Sequence, residues 1–286
     1  MFANRNHFFA AVCAAFCLLA LCGCATRETE IAEETNPDVK KISVLIGGAP
    51  EGDIYEKLIR WTRKKDPAVL IFCTGWNDAP DKIREELANF TPLTARAEAV
   101  RLSDDNLTEE VLAQKIRSAD LIYIAGGNAA RIFQTFQDFP MKELLEEAHN
   151  RGAVLVGTGP GAAVLCYSGY NLARNGRFNL RKGLAILPFH FCYEYQRAPR
   201  KNFDRRLSWE NSPPRGYALT AGAALFCVND NSLLYKFTED AQAFQFTLSE
   251  RFWRKSELKT RREAAAEAKA KAAAEESATA GEAMAR

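Results

Sequence analysis

The residues best placed for chemistry lie in a glycine-rich turn that follows a buried apolar run. The turn reads Gly157-Thr158-Gly159-Pro160-Gly161 and leads directly into a helical segment. This is the position and shape of a nucleophile elbow, G-x-S-x-G, in which the serine stands exposed at the end of a strand. Here Gly159 occupies the place of the serine.

A second turn of this kind, Gly126-Gly127-Asn128, ends the apolar run from Leu121 to Ala125. Backbone N–H groups that follow a strand and open a helix are suited to holding an anion or a carboxylate. The residues Gly126, Gly127, Asn128 and Gly159 are therefore predicted to contribute to one binding site.

The two turns and a third apolar run, Gly183 to Pro188, occur in an order and spacing that resembles the dipeptidase E and cyanophycinase family of serine peptidases. The resemblance covers residues 40–250 and implies the class I glutamine amidotransferase-like fold. It also implies three roles: an elbow serine as the nucleophile, the Gly-Gly-Asn turn as part of the oxyanion hole, and a histidine beyond the Leu-Pro run as the base.

Carried over residue by residue, the resemblance exposes a degenerate catalytic motif. Gly159 has no side chain with which to attack, and Pro160 has no N–H at the position that supplies an oxyanion donor. Such a donor contributes about 3 kcal/mol of transition-state stabilisation. The base position of the family falls on Glu194, and its acidic helper maps near Arg177. The sequence thus predicts that no catalytic residue is intact.

A rearranged site has few candidates, because His149 and His190 are the only histidines beyond Cys24. His190 lies just past the Leu-Pro run, so we expect it to face the site with Glu194 and to be the one surrogate base. His149 ends a helix rich in Glu and Lys and is predicted to be a solvated cation. Cys166 and Ser168 are placed on the helix after the elbow, Cys166 as a buried thiol and Ser168 as the turn residue that ends the helix. The alternative for both is a replacement nucleophile in a relocated catalytic pair, which would also need a rebuilt oxyanion hole.

The remaining composition argues against metals, cofactors and nucleic acid. Beyond Cys24 the cysteines are Cys73, Cys166, Cys192 and Cys227; they have no C-x-x-C spacing and are predicted to be buried free thiols, although a disulfide stays open. No cofactor motif is present. The net charge of +2 gives no reason to expect a nucleic acid partner. The basic stretch from Arg197 to Arg206 is interpreted as a solvated loop, with an anion-binding pocket mouth as the alternative.

The segment 1–24 is typical of an export signal. Arg5 provides the positive start, and Phe8 to Leu21 form an apolar run of about 14 residues, which is too short to span a bilayer. The run ends in LCGC, which resembles a bacterial lipobox; an ordinary secretory signal is the alternative. Cys24 would then carry the lipid that anchors the protein in the membrane. Ala25 in place of Asp favours the outer membrane of the cell envelope, facing the periplasm, by resemblance to enterobacterial sorting.

Two polar segments flank the predicted domain. Residues 25–39 are acidic and lack any hydrophobic periodicity, so they are predicted to be a tether. Residues 251–286 are rich in Ala, Glu and Lys and have few large apolar side chains to dock, which predicts a helical or disordered tail. A coiled-coil arm is the alternative for this tail.

Between the two flanks, short apolar runs alternate with amphipathic segments. Strands are predicted at 42–46, 68–73, 97–102, 121–125 and 153–156, and helices at 54–61, 81–90, 108–117, 129–136 and 141–151. This alternation predicts βαβ units, an α/β fold and a mainly parallel sheet flanked by helices. In such a sheet, ligands bind at the carboxyl ends of the strands, where both turns lie.

Three functions follow from this sequence. The first is a lipid-anchored envelope protein that has lost peptidase chemistry and binds a peptide, a small carboxylate or a protein partner. The second is an active hydrolase on acidic dipeptides or related amides with a rearranged site. The third is a structural lipoprotein whose tail contacts a partner.

Overall fold

The alternating strands and helices of the first half of the chain form as the sequence predicts. The computed structural model describes residues 41–172, 178–196, 202–229 and 231–270, all within the compact unit Asp38–Arg286. The strands are β1 (Ile42–Ile46), β2 (Val69–Phe72), β3 (Ala97–Val100), β4 (Leu121–Ile124) and β5 (Val154–Thr158). The helices are α1 (Ile54–Trp61), α2 (Pro80–Phe90), α3 (Glu109–Ser118), α4 (Ala129–Asp138) and α5 (Met141–Asn150). Except for the edge strand β3, these strands are buried along their whole length, which explains their continuous apolar runs.

The second half of the described chain is mostly strands. It contains α6 (Pro160–Leu165), β6 (Cys166–Leu172), β7 (Phe178–Lys182), β8 (Leu187–Cys192), α7 (Phe203–Leu207), β9 (Arg215–Leu219), β10 (Ala223–Val228), β11 (Asn231–Lys236), β12 (Ala243–Ser249) and β13 (Phe252–Leu258). Residues 261–270 form a last helix, α8. None of the helices in the described ranges is long and apolar enough to cross a membrane.

The strands of the described chain form two sheets. The first has seven strands in the order β11-β10-β1-β5-β4-β2-β3, in which β1 to β5 are mutually parallel and β10 and β11 are antiparallel additions. The second has six strands in the order β13-β12-β9-β8-β6-β7 and is parallel only at β6-β8-β9. The predicted α/β class is confirmed, and the second, mixed sheet is an addition that the sequence did not predict.

The segment after the elbow differs from the prediction. The helix ends at Leu165, and Cys166 and Ser168 lie in β6, where Ser168 pairs with Lys182 on β7 and with His190 on β8. The prediction that both residues sit on the elbow helix is therefore wrong. Only a partner distant in sequence completes the ladder, so local periodicity does not reveal this strand.

The predicted tail begins too early. Residues 252–258 form β13, which pairs along its whole length with β12. The prediction of helix or disorder from residue 251 is wrong for this strand, because Trp253 and Leu258 pack against clusters of the domain. The helix predicted in this region is present at residues 261–270.

The two faces of β8 look toward different hydrophobic clusters. Phe189 and Phe191 point into the main core, which also contains Leu45, Ile124 and Leu155 from the first sheet. Cys192 points into a smaller cluster on the other face, together with Phe203 and Leu207 of α7. Since successive side chains alternate between the faces of a strand, His190 shares the face of Cys192 and not that of the main core.

Candidate functional site

The two glycine-rich turns meet at the carboxyl ends of β1, β4 and β5. The Gly159 N–H donates to the Ile46 carbonyl over 2.8 Å, which holds the elbow at the end of β1. A Cβ on Gly126 would lie 3.4 Å from Thr158 Oγ1 and 3.8 Å from Pro160 Cδ. The prediction that these turns share one end of the sheet is therefore confirmed.

The elbow keeps the backbone shape of the motif although the nucleophile is missing. Gly159 has φ 50° and ψ −115°, a conformation that side-chain-bearing residues rarely adopt. Pro160 is the first residue of α6, where its fixed φ suits the helix and its missing N–H leaves no intrahelical bond unmade. The Gly159 carbonyl accepts from the N–H groups of Ala162 and Ala163 at 3.2 and 3.1 Å and closes the first turn.

A tyrosine ring lies over the elbow. Gly159 and Pro160 are both buried, and a Cβ at position 159 would lie 3.6 Å from Cδ2 of Tyr193. Tyr193 is itself 5% exposed and belongs to the main core. The position of a nucleophile is therefore covered by an aromatic ring, which excludes water and ligand from Gly159.

The Gly-Gly-Asn turn is occupied by structural contacts. Gly127 has φ 104° and packs so closely on the backbone of Gly75 that a Cβ would lie 2.7 Å from the Gly75 carbonyl carbon. The Asn128 N–H donates to the Gly75 carbonyl over 2.9 Å, and Asn128 Oδ1 accepts from the Arg131 N–H over 3.1 Å as the N-cap of α4. Asn128 therefore holds a turn and caps a helix in this structure.

Glu194, which the resemblance places at the position of the base, lines a cleft beside the elbow. Its N–H donates to the Gly47 carbonyl over 2.8 Å, and its backbone has a left-handed φ of 46°. The cleft has a volume of about 350 Å³ and is lined by Ala49, Glu51, Glu194, Gln196, Thr220, Ala221, Gly222, Thr238, Asp240 and Gln242. Three of these residues are acidic and none is basic, so the cleft favours a cationic group over a carboxylate.

His190 does not lie where the sequence places it. Its side chain is fully buried in the second sheet, 2.7 Å from Ser168 Oγ through Nδ1 and with the Trp253 ring centroid 5.8 Å away. Burial lowers its pKa to about 4, and an interaction with the Pro213 backbone opposes this only in part. The prediction that His190 faces the site is wrong, because it points to the opposite side of β8 from the main core.

The contact between Ser168 and His190 is one that sequence reasoning missed. The parallel register of β6 and β8 pairs the two residues across 22 positions of sequence. Ser168 is 5% exposed and His190 is not exposed at all. A nucleophile and base must reach a substrate, so a pair this deeply enclosed is suited to holding the sheet together.

His149 also differs from its prediction. It is buried, and its Nε2 lies 3.1 Å from Ser43 Oγ on β1. Burial and the nearby charge of Lys41 lower its pKa to about 4, so it is neutral at pH 7. The predicted solvated cation at the end of α5 is therefore wrong, since the helix turns this side chain inward against the sheet.

The cysteines behave as the sequence predicts. Cys73, Cys166, Cys192 and Cys227 are buried free thiols. Burial raises the pKa of Cys73 and of Cys227 to about 12, which makes both poor nucleophiles. Among the described residues no group of three or more His, Cys, Asp or Glu side chains could hold a metal ion.

Several sequence predictions fall outside the described residues. These are the lipidation position Cys24, the tether at 25–39, the helper position Arg177 and the first part of the basic stretch from Arg197. The end of that stretch is described: Phe203 to Arg206 lie in α7, and the Arg206 guanidinium carbon lies 4.8 Å from the Trp209 ring centroid.

Comparison with known proteins identifies a family that matches most of the chain. The family described as Peptidase family S51 matches residues 45–235, a range that includes both turns and Glu194. The chain is 23% identical over 200 residues to the uncharacterized peptidase YgaJ of Bacillus subtilis (strain 168), which covers 67% of this chain and 85% of that protein.

Solved structures that share the fold include two peptidases. A peptidase from an acI-B1 Actinobacterium superposes with a TM-score of 0.59 at 16% identity, covering 78% of this chain and 96% of its own. A candidate peptidase E from Listeria monocytogenes EGD-e superposes with a TM-score of 0.54 at 15% identity, covering 69% and 99%. At such identities the likeness concerns the fold.

Proposed function

Because the chain belongs to peptidase family S51, we propose that it is a member that has lost peptidase chemistry and works by binding a small peptide in the cleft lined by Glu194. It does so from the cell envelope, held by a lipid on Cys24. The family match supports the sequence resemblance, and the proposal extends that resemblance to a function.

One observation carries the loss of chemistry: the buried Gly159-Pro160 elbow under Tyr193. Gly159 supplies no attacking oxygen, and Pro160 supplies no oxyanion N–H. The lost donor alone corresponds to a rate loss of about a hundredfold or more. Glu194 stands in place of the histidine base, and the Tyr193 ring excludes water from the elbow. The nucleophile, the oxyanion donor and the base are therefore each lost through a different residue.

The cleft beside Glu194 supports the choice of ligand. Its volume of about 350 Å³ suits a dipeptide-sized molecule. Glu51, Glu194 and Asp240 supply negative charge, whereas amide and hydroxyl groups of Gln196 and Thr238 supply neutral partners. A peptide with a free N-terminal ammonium is therefore a better match than a small carboxylate.

The envelope location rests on the segment 1–24. The apolar run and the LCGC sequence favour lipid transfer to Cys24, and several acyl chains together give stable anchoring. A Cys24→Ser variant should then move from the membrane fraction to the soluble fraction. Retention of this variant in the membrane would contradict the lipid anchor.

A rearranged hydrolase is the second candidate, because the structure holds Ser168 2.7 Å from His190. Its weakness is access, since both side chains are buried. It predicts turnover that disappears in a His190→Ala variant.

The experiment uses the chain that starts at residue 25, which retains every described element. We expect no cleavage of Asp-containing dipeptides and a rise in melting temperature with dipeptides that carry a free ammonium, because a ligand that binds the folded state stabilises it by mass action. N-acetylated dipeptides should give a smaller rise. Cleavage above the blank that is lost in His190→Ala would instead establish the hydrolase.

A matched pair of variants locates the binding. Glu194→Gln should reduce the melting shift, whereas Glu143→Gln on α5, a similar charge change at an exposed position, should not. A shift that is equal in both variants, or absent with every peptide, would contradict binding at this cleft.

A further inference from the structure

A second cleft lies at the other end of the first sheet. It has a volume of about 410 Å³ and is lined by Ile42, Trp61, Thr62, Arg63, Asn150, Arg151 and Gly152. Ile42 begins β1 and Gly152 precedes β5, whereas Gly159 follows β5. This cleft is therefore separate from the family's site and independent of the function proposed above.

The lining of this amino-end cleft is rich in hydrogen-bond donors. Arg63 and Arg151 bring two positive charges, and Asn150 adds an amide. No carboxylate is among the described residues that line it. Arg151 uses Nη2 to bond the carbonyls of Ile116 and Ala119 at 3.3 and 3.0 Å, which fixes its guanidinium and leaves its Nε and Nη1 donors for another acceptor.

Trp61 gives an independent sign of a ligand. Its side chain is 2% exposed and packs on Phe226 with the ring centroids 5.3 Å apart. Its Nε1–H is buried and has no hydrogen-bond partner among the described residues. A buried donor without a partner costs about 1–3 kcal/mol, and the described residues provide no acceptor for this N–H.

The helix ends at this cleft do not supply that acceptor. The C-termini of α1 and α5 both reach it, and their last carbonyls already accept from the N–H groups of Thr62, Arg63, Arg151 and Gly152. Each C-terminus carries about half a negative charge, which the full charges of the two arginines exceed. Charge compensation of the helices would explain the arginines, but it leaves the Trp61 N–H without a partner.

We propose that the amino-end cleft binds a small anion, a molecule that presents a phosphate or carboxylate group to Trp61, Arg63 and Arg151. The anionic oxygens would accept from the indole N–H and from both guanidinium groups. The cleft volume leaves room for an organic part beyond the anionic group itself.

The test observes the Trp61 indole directly. The chain from residue 25 has four tryptophans, so its amide spectrum has four indole N–H resonances, and a Trp61→Phe variant identifies the one that belongs to Trp61. Titration with inorganic phosphate, glycerol phosphate and succinate, at constant ionic strength, should shift this resonance with at least one of the three. The resonances of Trp76, Trp209 and Trp253 should stay in place. Comparison of the three probes distinguishes a phosphate from a carboxylate ligand.

Variants decide whether the cleft is responsible. Arg63→Gln and Arg151→Gln should each weaken binding about tenfold or more, because a hydrogen bond from a charged donor is lost. Arg101→Gln, at an exposed position outside the cleft, should bind as the unaltered chain does. The proposal is overturned if no probe shifts the Trp61 resonance, or if the shift persists unchanged in both cleft variants while their melting temperatures show that they are folded.

Discussion

Gly159 illustrates how a glycine can keep the backbone of a strand-to-helix turn while supplying no side chain at its apex. Its φ of 50° and ψ of −115° are those of a strained turn between a strand and a helix. A glycine adopts positive φ without the steric cost that a Cβ would add. The turn therefore connects β5 to α6 without a steric cost at Gly159, and the Tyr193 ring packs over it.

At this position, Gly159→Ala should destabilise the fold. We expect a loss of about 1–3 kcal/mol in the free energy of unfolding, measured by urea titration, because alanine rarely adopts this backbone conformation. Gly52→Ala is the matched control: Gly52 has φ 65° and nothing within 4 Å of an added Cβ, so only the left-handed cost of about 1 kcal/mol applies. An unchanged or raised stability of Gly159→Ala would show that the elbow is not strained.

At the scale of elements, β13 extends the domain beyond the predicted boundary at residue 250. Along this strand Trp253 packs near His190 and donates from Nε1 to the Glu210 carbonyl over 3.2 Å, whereas Phe252 is 75% exposed. The buried face of β13 exists only once the strand packs against β12 and α7. Because its sequence is rich in charged residues, local sequence patterns do not reveal this strand. The pairing thus turns a polar sequence into the edge of a sheet.

The two neighbours Trp253 and Phe252 provide a test of this strand. Trp253→Ala should lower the free energy of unfolding by about 2–3 kcal/mol, because a packed ring and its hydrogen bond are lost. Phe252→Ala should change it by about 0.5 kcal/mol or less, since this ring already faces solvent. Equal, negligible effects in denaturant titrations would indicate that residues 252–258 do not belong to the folded domain.

At the scale of the whole molecule, two buried histidines link stability to pH. His149 connects α5 to β1, and His190 connects β8 to β6. Burial lowers the pKa of each to about 4. In the unfolded chain both take up protons near pH 6.5, while in the folded chain they stay neutral until about pH 4.

Stability should therefore fall as the pH decreases from about 6.5 to about 4 and should not fall further on their account at lower pH. The expected loss is about 2 kcal/mol per histidine between pH 7 and pH 5. Burial raises the pKa of Glu86, which acts in the opposite sense, so the measured curve is a sum.

Variants separate these contributions. The slope of the unfolding free energy against pH measures the number of protons taken up on unfolding. His149→Gln and His190→Gln should each reduce that number by about one in this pH range. The slope is informative even if a variant is less stable at every pH. An unaltered slope in either variant would mean that the histidine titrates equally in the folded and unfolded chain.

The sequence by itself determined the features that depend on neighbouring residues. Continuous apolar runs predicted β1, β2, β4 and β5, and the Gly159-Pro160 pair predicted an elbow without nucleophile and donor. A strand that is buried on both faces requires a continuous apolar run, and the geometry of proline is fixed by its own ring. Both features depend only on neighbouring residues, so they can be identified in the sequence.

Only the tertiary structure decided which distant residues meet. It placed Tyr193 over Gly159, turned His190 away from the site toward Ser168, and brought Trp61 beside Arg63 and Arg151 with no acceptor for its N–H in the described part of the chain. These contacts depend on the register and the facing of strands far apart in sequence. A shift of one residue in register would send each side chain to the opposite face of its sheet, and local sequence patterns alone do not fix that choice.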